Sequence, residues 1–165
     1  MSFTAYICMK GTKQGQLKSG SKKAGRSDKW TEVIAFKMSS SVAVDPKSGA
    51  IKGHRNILPI QVTMEAGPWS PQLLQGHYTN EVISEVIIEF VERNAAGAKE
   101  IVVERITLAD AVLTEIVRYS NTHGKDTVQH DVSNLEDVSM VFRQITVENP
   151  IASTSVTEDY NTPGS

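Results

Sequence analysis

At 165 residues with a formal net charge of −2, the chain has the length of one domain with a proper core, and it lacks the basic surplus that a phosphate backbone demands of its main partner. Its single cysteine, Cys8, excludes an intrachain disulfide, and no run approaches the roughly 18 apolar residues of a membrane helix. The opening MSFTAYICMK does not follow the charged-then-apolar order of a signal peptide. The expectation is a soluble cytoplasmic product that only a dedicated machine would carry out of the cell.

Residues 3–9 alternate Phe3, Ala5, Ile7 and Met9 against Thr4, Tyr6 and Cys8, which predicts a first strand. Cys8, inside that apolar run, reads as a buried, inert thiol. Residues 10–29 (KGTKQGQLKSGSKKAGRSDK) are rich in glycine, serine and lysine and predict a basic loop, either solvated or facing an anionic partner. They contain no G-x-x-x-x-G-K-[ST] phosphate cradle. Residues 30–38 predict a second strand, with Trp30, Ile34, Phe36 and Met38 on one face and Thr31, Val33, Ala35 and Lys37 on the other. Glu32 interrupts the apolar side and is expected at a rim or an interface. Residues 39–52 hold the turn formers Asp45-Pro46 and Ser48-Gly49, hence a long loop. Val42, Val44 and Ile51 are apolar residues that a merely solvated loop does not need, so the loop is expected to dock onto another surface.

The central unit follows, over residues 53–80. Leu58, Ile60, Val62 and Met64 point one way and Pro59, Gln61 and Thr63 the other, giving a half-buried strand over 56–64. Ala66-Gly67-Pro68 ends it. Ser70 reads as an N-cap and Pro71 as the first helical residue, with Leu74 and Tyr78 four apart on one helix face. Strand-like runs then occupy 81–91, 100–108 and 111–119, each with apolar residues on both faces. A polar loop covers 121–134, a last strand 138–147, and a polar, frayed tail the end.

The two-faced runs carry a consequence. A barrel in water needs one apolar face inward and one polar face outward. Val82, Val86, Ile88 and Phe90 on one face of 81–91 oppose Ile83, Ile87 and Val91 on the other, and the second face needs a cover that one short helix cannot supply. A neighbouring copy is the economical one, so homo-oligomerisation through strand faces is expected.

Reactive constellations are sparse. His54, His77, His123 and His130 form no H-E-x-x-H, and one cysteine cannot build a thiolate zinc site. His123, Asp126, His130 and Asp131 gather in one loop without a recognised ligand spacing. There is no G-x-S-x-G elbow, and Glu85 with Glu89 is what an exposed strand face carries in any case. Neither a metal, a cofactor nor an enzymatic activity is predicted.

The segments AYICMKGTKQGQLKSGSKKAGR, Trp30-Thr31-Glu32-Val33-Ile34-Ala35-Phe36, Pro59-Ile60-Gln61-Val62-Thr63-Met64-Glu65, Ser70-Pro71-Gln72-Leu73-Leu74 and LEDVSMVFRQI at 135–145 occur in an order that resembles the haemolysin-coregulated protein (Hcp) family, the tube subunit of bacterial type VI secretion systems. The resemblance spans nearly the whole chain. It departs at Met64, where the family usually has Lys, and at Val147, where it usually has Trp. It implies a mainly β fold, an antiparallel β-barrel with one short α-helix, forming a hexameric ring with an open channel. Rings would stack into a tube that is ejected and can carry or chaperone small effectors in its lumen, with spike, baseplate and sheath proteins as partners and neither nucleic acid nor membrane insertion. Val42, Val44, Asp45 and Ile51 would form the ring-stacking loop. Leu73, Leu74, Tyr78, Ile83 and Ile87 would serve the helix or the subunit interface. The domain is expected over 1–148, followed by the tail at 149–165. The competing reading is a soluble small-ligand-binding β-barrel, which requires an enclosed apolar cavity.

Overall fold

The computed structural model describes residues 3–21, 23, 25–26, 28–94, 99–120 and 134–160. In chain order these form β1 (Thr4–Gly11), β2 (Gly15–Gln16), β3 (Thr31–Lys37), β4 (Ser40–Val44), β5 (Ile51–Ile57), β6 (Ile60–Glu65), α1 (Ser70–Tyr78), β7 (Ile83–Arg93), β8 (Glu100–Ser120), β9 (Asn134–Val141), β10 (Gln144–Asn149) and β11 (Thr154–Asp159). One sheet runs β11-β10-β8-β7-β1-β3-β6-β9 with β2 added to β1, and β8 also pairs with β9. That last pairing closes β8, β7, β1, β3, β6 and β9 into a ring-like sheet, from which β10 and β11 hang as a flap. The expected mainly β architecture with one helix is therefore the one observed. It is looser than an ideal barrel because one edge of β8 serves two neighbours in turn, β10 over residues 105–109 and β9 over 112–120.

The residues predicted as two strands, 100–108 and 111–119, are this single strand β8. Asp110 between them has φ 51, a left-handed backbone that Asp tolerates better than most residues, so the chain bends there without ending. The bend is clamped. Arg143 donates from Nε to Asp110 Oδ2 and from Nη1 to Asp159 Oδ2, each at 2.8 Å, while its amide donates to Ala109 O at 3.1 Å. Arg143 sits where the predicted strand 138–147 breaks into β9 and β10. Within the polar tail expected from 149 onward, six residues pair with β10 as β11 and Tyr160 packs its ring against Phe142, while the NTPGS end expected to fray lies outside the described residues.

Bulges explain much of the two-faced patterning. Lys10 pairs with Glu85 but Gly11 with Ile83, so Ser84 is an extra residue and the strand changes face there. Ile83, Val86 and Ile88 consequently all point into the core, at 0–1 % exposure. The same device acts in β3, where Val33 pairs with Met64 and Ala35 with Thr63. Ile34 is the inserted residue and is 58 % exposed, while Val33 is buried. This reverses much of the predicted face assignment of that strand: Thr31 and Val33 are buried, Ile34 and Met38 are outside, Trp30 is buried in a separate cluster on the other face, and Phe36, half-buried against the core, with the exposed Ala35 and Lys37, lies as expected. The interior is filled by its own side chains, with Ile60, Val62, Met64, Ile106, Leu108, Val138 and Met140 at zero exposure.

The second face of β1 and β7 is covered from within the protomer. Tyr6, Cys8, Trp30 and Val91 form a separate apolar cluster, with Ile87 and Val102 packed against it. Its lid is formed by Lys23 and Arg26 of the basic segment after β2, while Lys18 and Lys29 of that segment stay exposed. The Arg26 guanidinium stacks 4.6 Å from the Tyr6 ring centroid and 4.7 Å from that of Trp30, and its Nη1 donates to Glu89 Oε2 at 2.8 Å. Lys23 donates to Tyr6 Oη at 3.0 Å and is ion-paired with Glu100. Burial pushes the Cys8 thiol up, which leaves it mostly protonated and inert, as expected.

α1 closes the gap beside the second half of β8. Leu73, 1 % exposed, enters the core, and His77 Nδ1 lies 3.0 Å from Leu113 O. Its N-cap is Trp69 rather than Ser70. Ser70 is the first helical residue, and its hydroxyl accepts from the Gly67 amide at 2.9 Å. A Cβ on Gly20 or Gly67 would collide with the Trp69 ring.

Candidate assembly surfaces

The segment predicted as a long loop, 39–52, is the greater part of a two-stranded ribbon, β4 with β5, that forms a sheet of its own. The predicted strand over 56–64 is accordingly divided, with Asn56 ending in the ribbon and β6 starting at Ile60. The ribbon's end is built by Asp45. Its Oδ1 accepts from the Lys47 amide at 2.9 Å, its amide donates to Ala50 O at 2.8 Å, and its carbonyl accepts from the Gly49 amide at 2.9 Å. Gly49 supplies the φ of 68 that the turn needs. The Lys47 amide holds the Asp45 carboxyl below its usual range, and Lys52 Nζ lies 3.4 Å from Oδ2. Of the expected loop residues, Val44 and Ile51 are direct cross-strand partners at 51 % and 68 % exposure, and Val42 is half-buried opposite Arg55. Two exposed aliphatic side chains on an isolated ribbon are what a docking element presents and what a solvated turn does not need.

The second expected group divides. Leu73 and Ile83 face the protomer's own core, and Ile87 lies half-buried under the basic lid. Leu74 is half-buried and Tyr78 is 75 % exposed, so these two remain at the surface of α1. Elsewhere the outer sheet surface keeps Ile34, Val117 and Tyr119 exposed. Along it, Ala35, Thr63, Asp137 and Val117 form one cross-strand row, fixed by Thr63 Oγ1 donating to Asp137 Oδ1 at 2.6 Å.

Charged groups missed by the sequence reading hold these surfaces in place. Glu89 bridges Arg26 and Arg105, and Arg105 reaches Glu148 at 3.8 Å, so an alternating chain of charges runs from the lid across β7 and β8 to β10. Glu89 is thus committed to ion pairs, while Glu85 is exposed. Glu81, 2 % exposed, accepts from the amides of Lys13 at 2.7 Å and Gln14 at 2.9 Å and from Gln14 Nε2 at 2.8 Å. Burial pushes its carboxyl up, but the Gln14 side chain and the two amides outweigh that and hold it below the usual carboxylate range. The only sequence signal for these roles was a carboxylate inside an otherwise apolar run. The histidine–aspartate grouping at His123, Asp126, His130 and Asp131 lies outside the described residues.

Residues 6–148 match the family described as the type VI secretion system effector Hcp. The chain belongs to the Hcp family. A major exported protein of Pseudomonas aeruginosa is 28 % identical over 172 residues, covering 99 % of this chain and 98 % of that protein. Among solved structures, an Hcp protein shares the fold with a TM-score of 0.84 at 23 % identity, over 95 % of this chain and 99 % of its own. A variant of Hcp1 from Escherichia coli EAEC 042 follows at 0.80 and 19 % identity, over 96 % and 99 %. The secreted protein Hcp3 of P. aeruginosa follows at 0.72 and 23 %, over 98 % and 100 %. Hcp membership makes the chain a secreted, tube-forming component of type VI secretion, a family whose members assemble as rings. The family match ends at Glu148 in β10, so β11 lies beyond it, although the Pseudomonas relative aligns to nearly the full length.

Proposed function

We propose that this Hcp chain works as a hexameric ring whose copies stack, through the β4–β5 ribbon, into the inner tube that type VI secretion ejects. The subunit is a structural part and its function lies in surfaces. It is made in the cytoplasm and the secretion machine carries it out. The sheath, baseplate and spike proteins are its partners, and small effectors occupy the lumen, where the tube shields and carries them. The observation that supports this reading best is the ribbon. It is a separate two-stranded sheet with Val44 and Ile51 exposed on it, and an isolated pair of strands is marginal in water unless something covers it. The filled interior argues against the ligand-binding barrel, because Ile60, Val62, Met64, Ile106, Leu108, Val138 and Met140 occupy it at zero exposure.

The test is physical. Native mass or light scattering of the purified protein should give about six times the 18.1 kDa subunit mass. Val42→Glu with Val44→Glu should leave that ring intact and abolish stacked tubes and export. A persistent monomer at high concentration would refute the ring, and unimpaired tubes in the double variant would refute the role of the ribbon.

A further inference from the structure

The outermost strand of the flap presents an open edge. β11 is the terminal strand of the large sheet and pairs, among the described residues, with β10 alone. Thr154 to Glu158 are all exposed, and Val156 is 62 % exposed. The strand contains no proline, no lysine and no bulge, three of the devices that keep an edge from recruiting another chain, and its charges, Glu158 and Asp159, are both acidic. Beside it lies a shallow groove of about 300 Å³ whose walls include Glu104, Val147, Glu148 and Val156. The flap is acidic. From Gln144 to Asp159 there is no Lys or Arg, and Glu148, Glu158 and Asp159 are its charges, the last of them held by Arg143.

The ribbon is the complement in both respects. It is a pair of short strands, each hydrogen-bonded to the other and to no further strand among the described residues. It carries Lys47, Lys52 and Arg55 against the single acid Asp45. It also offers Val44 and Ile51, two aliphatic side chains of the size that Val147 and Val156 can cover. Within one protomer the ribbon and β11 are not paired. We propose that the β4–β5 ribbon of one copy adds to the free edge of β11 in a second copy, its cations along Glu148 and Glu158 and its valine and isoleucine against Val147 and Val156. Main-chain hydrogen bonds supply the grip and the charges set direction and register, the usual division of labour when a strand is added to a sheet edge. The inference rests on the stacking role proposed above and names the surface that role requires.

The experiment places one cysteine on each surface, Val44→Cys with Val156→Cys, in a chain also carrying Cys8→Ser. The assembled protein is treated with a short bis-maleimide and run denatured. A ladder of covalent multimers, absent for either single-cysteine chain, is the expected result. A charge exchange accompanies it. Lys52→Glu and Glu158→Lys should each weaken ring-to-ring association about two- to fivefold per contact, the range of a surface ion pair, and the two together should recover most of the loss. Rings that stack normally but give no ladder overturn this inference and leave the tube reading standing. A cross-link confined within single subunits also overturns it. Wild-type rings that never stack overturn both.

Discussion

Replacing Arg26 with alanine removes the fastening of the lid over the second apolar face. The side chain is 11 % exposed and makes an ion pair with Glu89 at 2.8 Å, a longer contact of 3.4 Å with Glu100, and two ring stackings. Losing one partner of a buried pair costs about 3–5 kcal/mol when the other charge is stranded. Here Glu89 keeps Arg105 at 3.2 Å, so the electrostatic part falls to about 1–2 kcal/mol. The cation–π contacts add about 0.5–1 kcal/mol between them at a site this close to solvent. The sum, about 1.5–3 kcal/mol, corresponds to a fall in melting temperature of about 3–12 °C for a chain of this length. The assay is thermal unfolding at fixed protein concentration, since association shifts the midpoint. It is paired with the rate at which Cys8, the single cysteine, reacts with a thiol reagent. Cys8 is 6 % exposed beneath the lid and should react many times faster in the variant. Arg26→Lys should lie between, because lysine keeps the charge and loses the planar fork. A variant with an unchanged midpoint and an unreactive Cys8 would refute the claim that Arg26 fastens the lid.

Glu81 should make stability pH-dependent. Its folded-state carboxyl lies below the unfolded value, so its contribution is present above the unfolded value of roughly 4.3 and fades as pH falls through the folded one. Glu81→Gln should flatten that acid limb in a denaturant titration, and an identical limb in both proteins would exclude it as the cause. Leu73→Ala deletes a side chain at 1 % exposure and should cost about 2–4 kcal/mol in the same titration, whereas Tyr78→Asp on the same helix should change unfolding by less than about 0.5 kcal/mol and act, if anywhere, on association. Asp110→Val forces a β-branched residue into a left-handed backbone and removes an Arg143 contact, so it should cost about 2–3 kcal/mol and release β11, seen as faster amide exchange over residues 154–159.

Alternation located β1 and β6 from the sequence, where every second side chain of a run meets the core, and apolar runs marked β3, β7 and β9 without assigning all their faces. It failed wherever one residue was inserted. Ser84 and Ile34 carry no chemical mark that distinguishes a bulged position from a paired one; the mark lies in the partner strand, which only the closed sheet supplies. The ribbon read as a loop because its turn formers are real and its strands bury almost nothing. β11 read as a tail for the same reason, since TSVTED is polar on both faces and is held by main-chain bonds and by Arg143 rather than by apolar burial. A strand with no buried side has no hydrophobic period to detect.

Candidate surfaces were legible to a different degree. Val44 and Ile51 stood out because an apolar residue between turn formers has no local use, and the ribbon brings these two face to face. Ile83 and Ile87 were assigned to a neighbour on the premise that a second apolar face needs a second copy. Within one protomer that premise has two other solutions. A bulge rotates Ile83 inward, and an arginine stacked between Tyr6 and Trp30 lays a lid over Ile87. The surplus of apolar side chains available to neighbouring copies is therefore smaller than the pattern suggested and differently placed: Ile34, which a bulge turns outward, Val117 and Tyr119 on the outer sheet, Tyr78 on the helix, and the aliphatic pair on the ribbon. A bulge such as the one at Ile34 moves an apolar side chain from one face to the other, so counting apolar residues along a strand does not locate the face they end on.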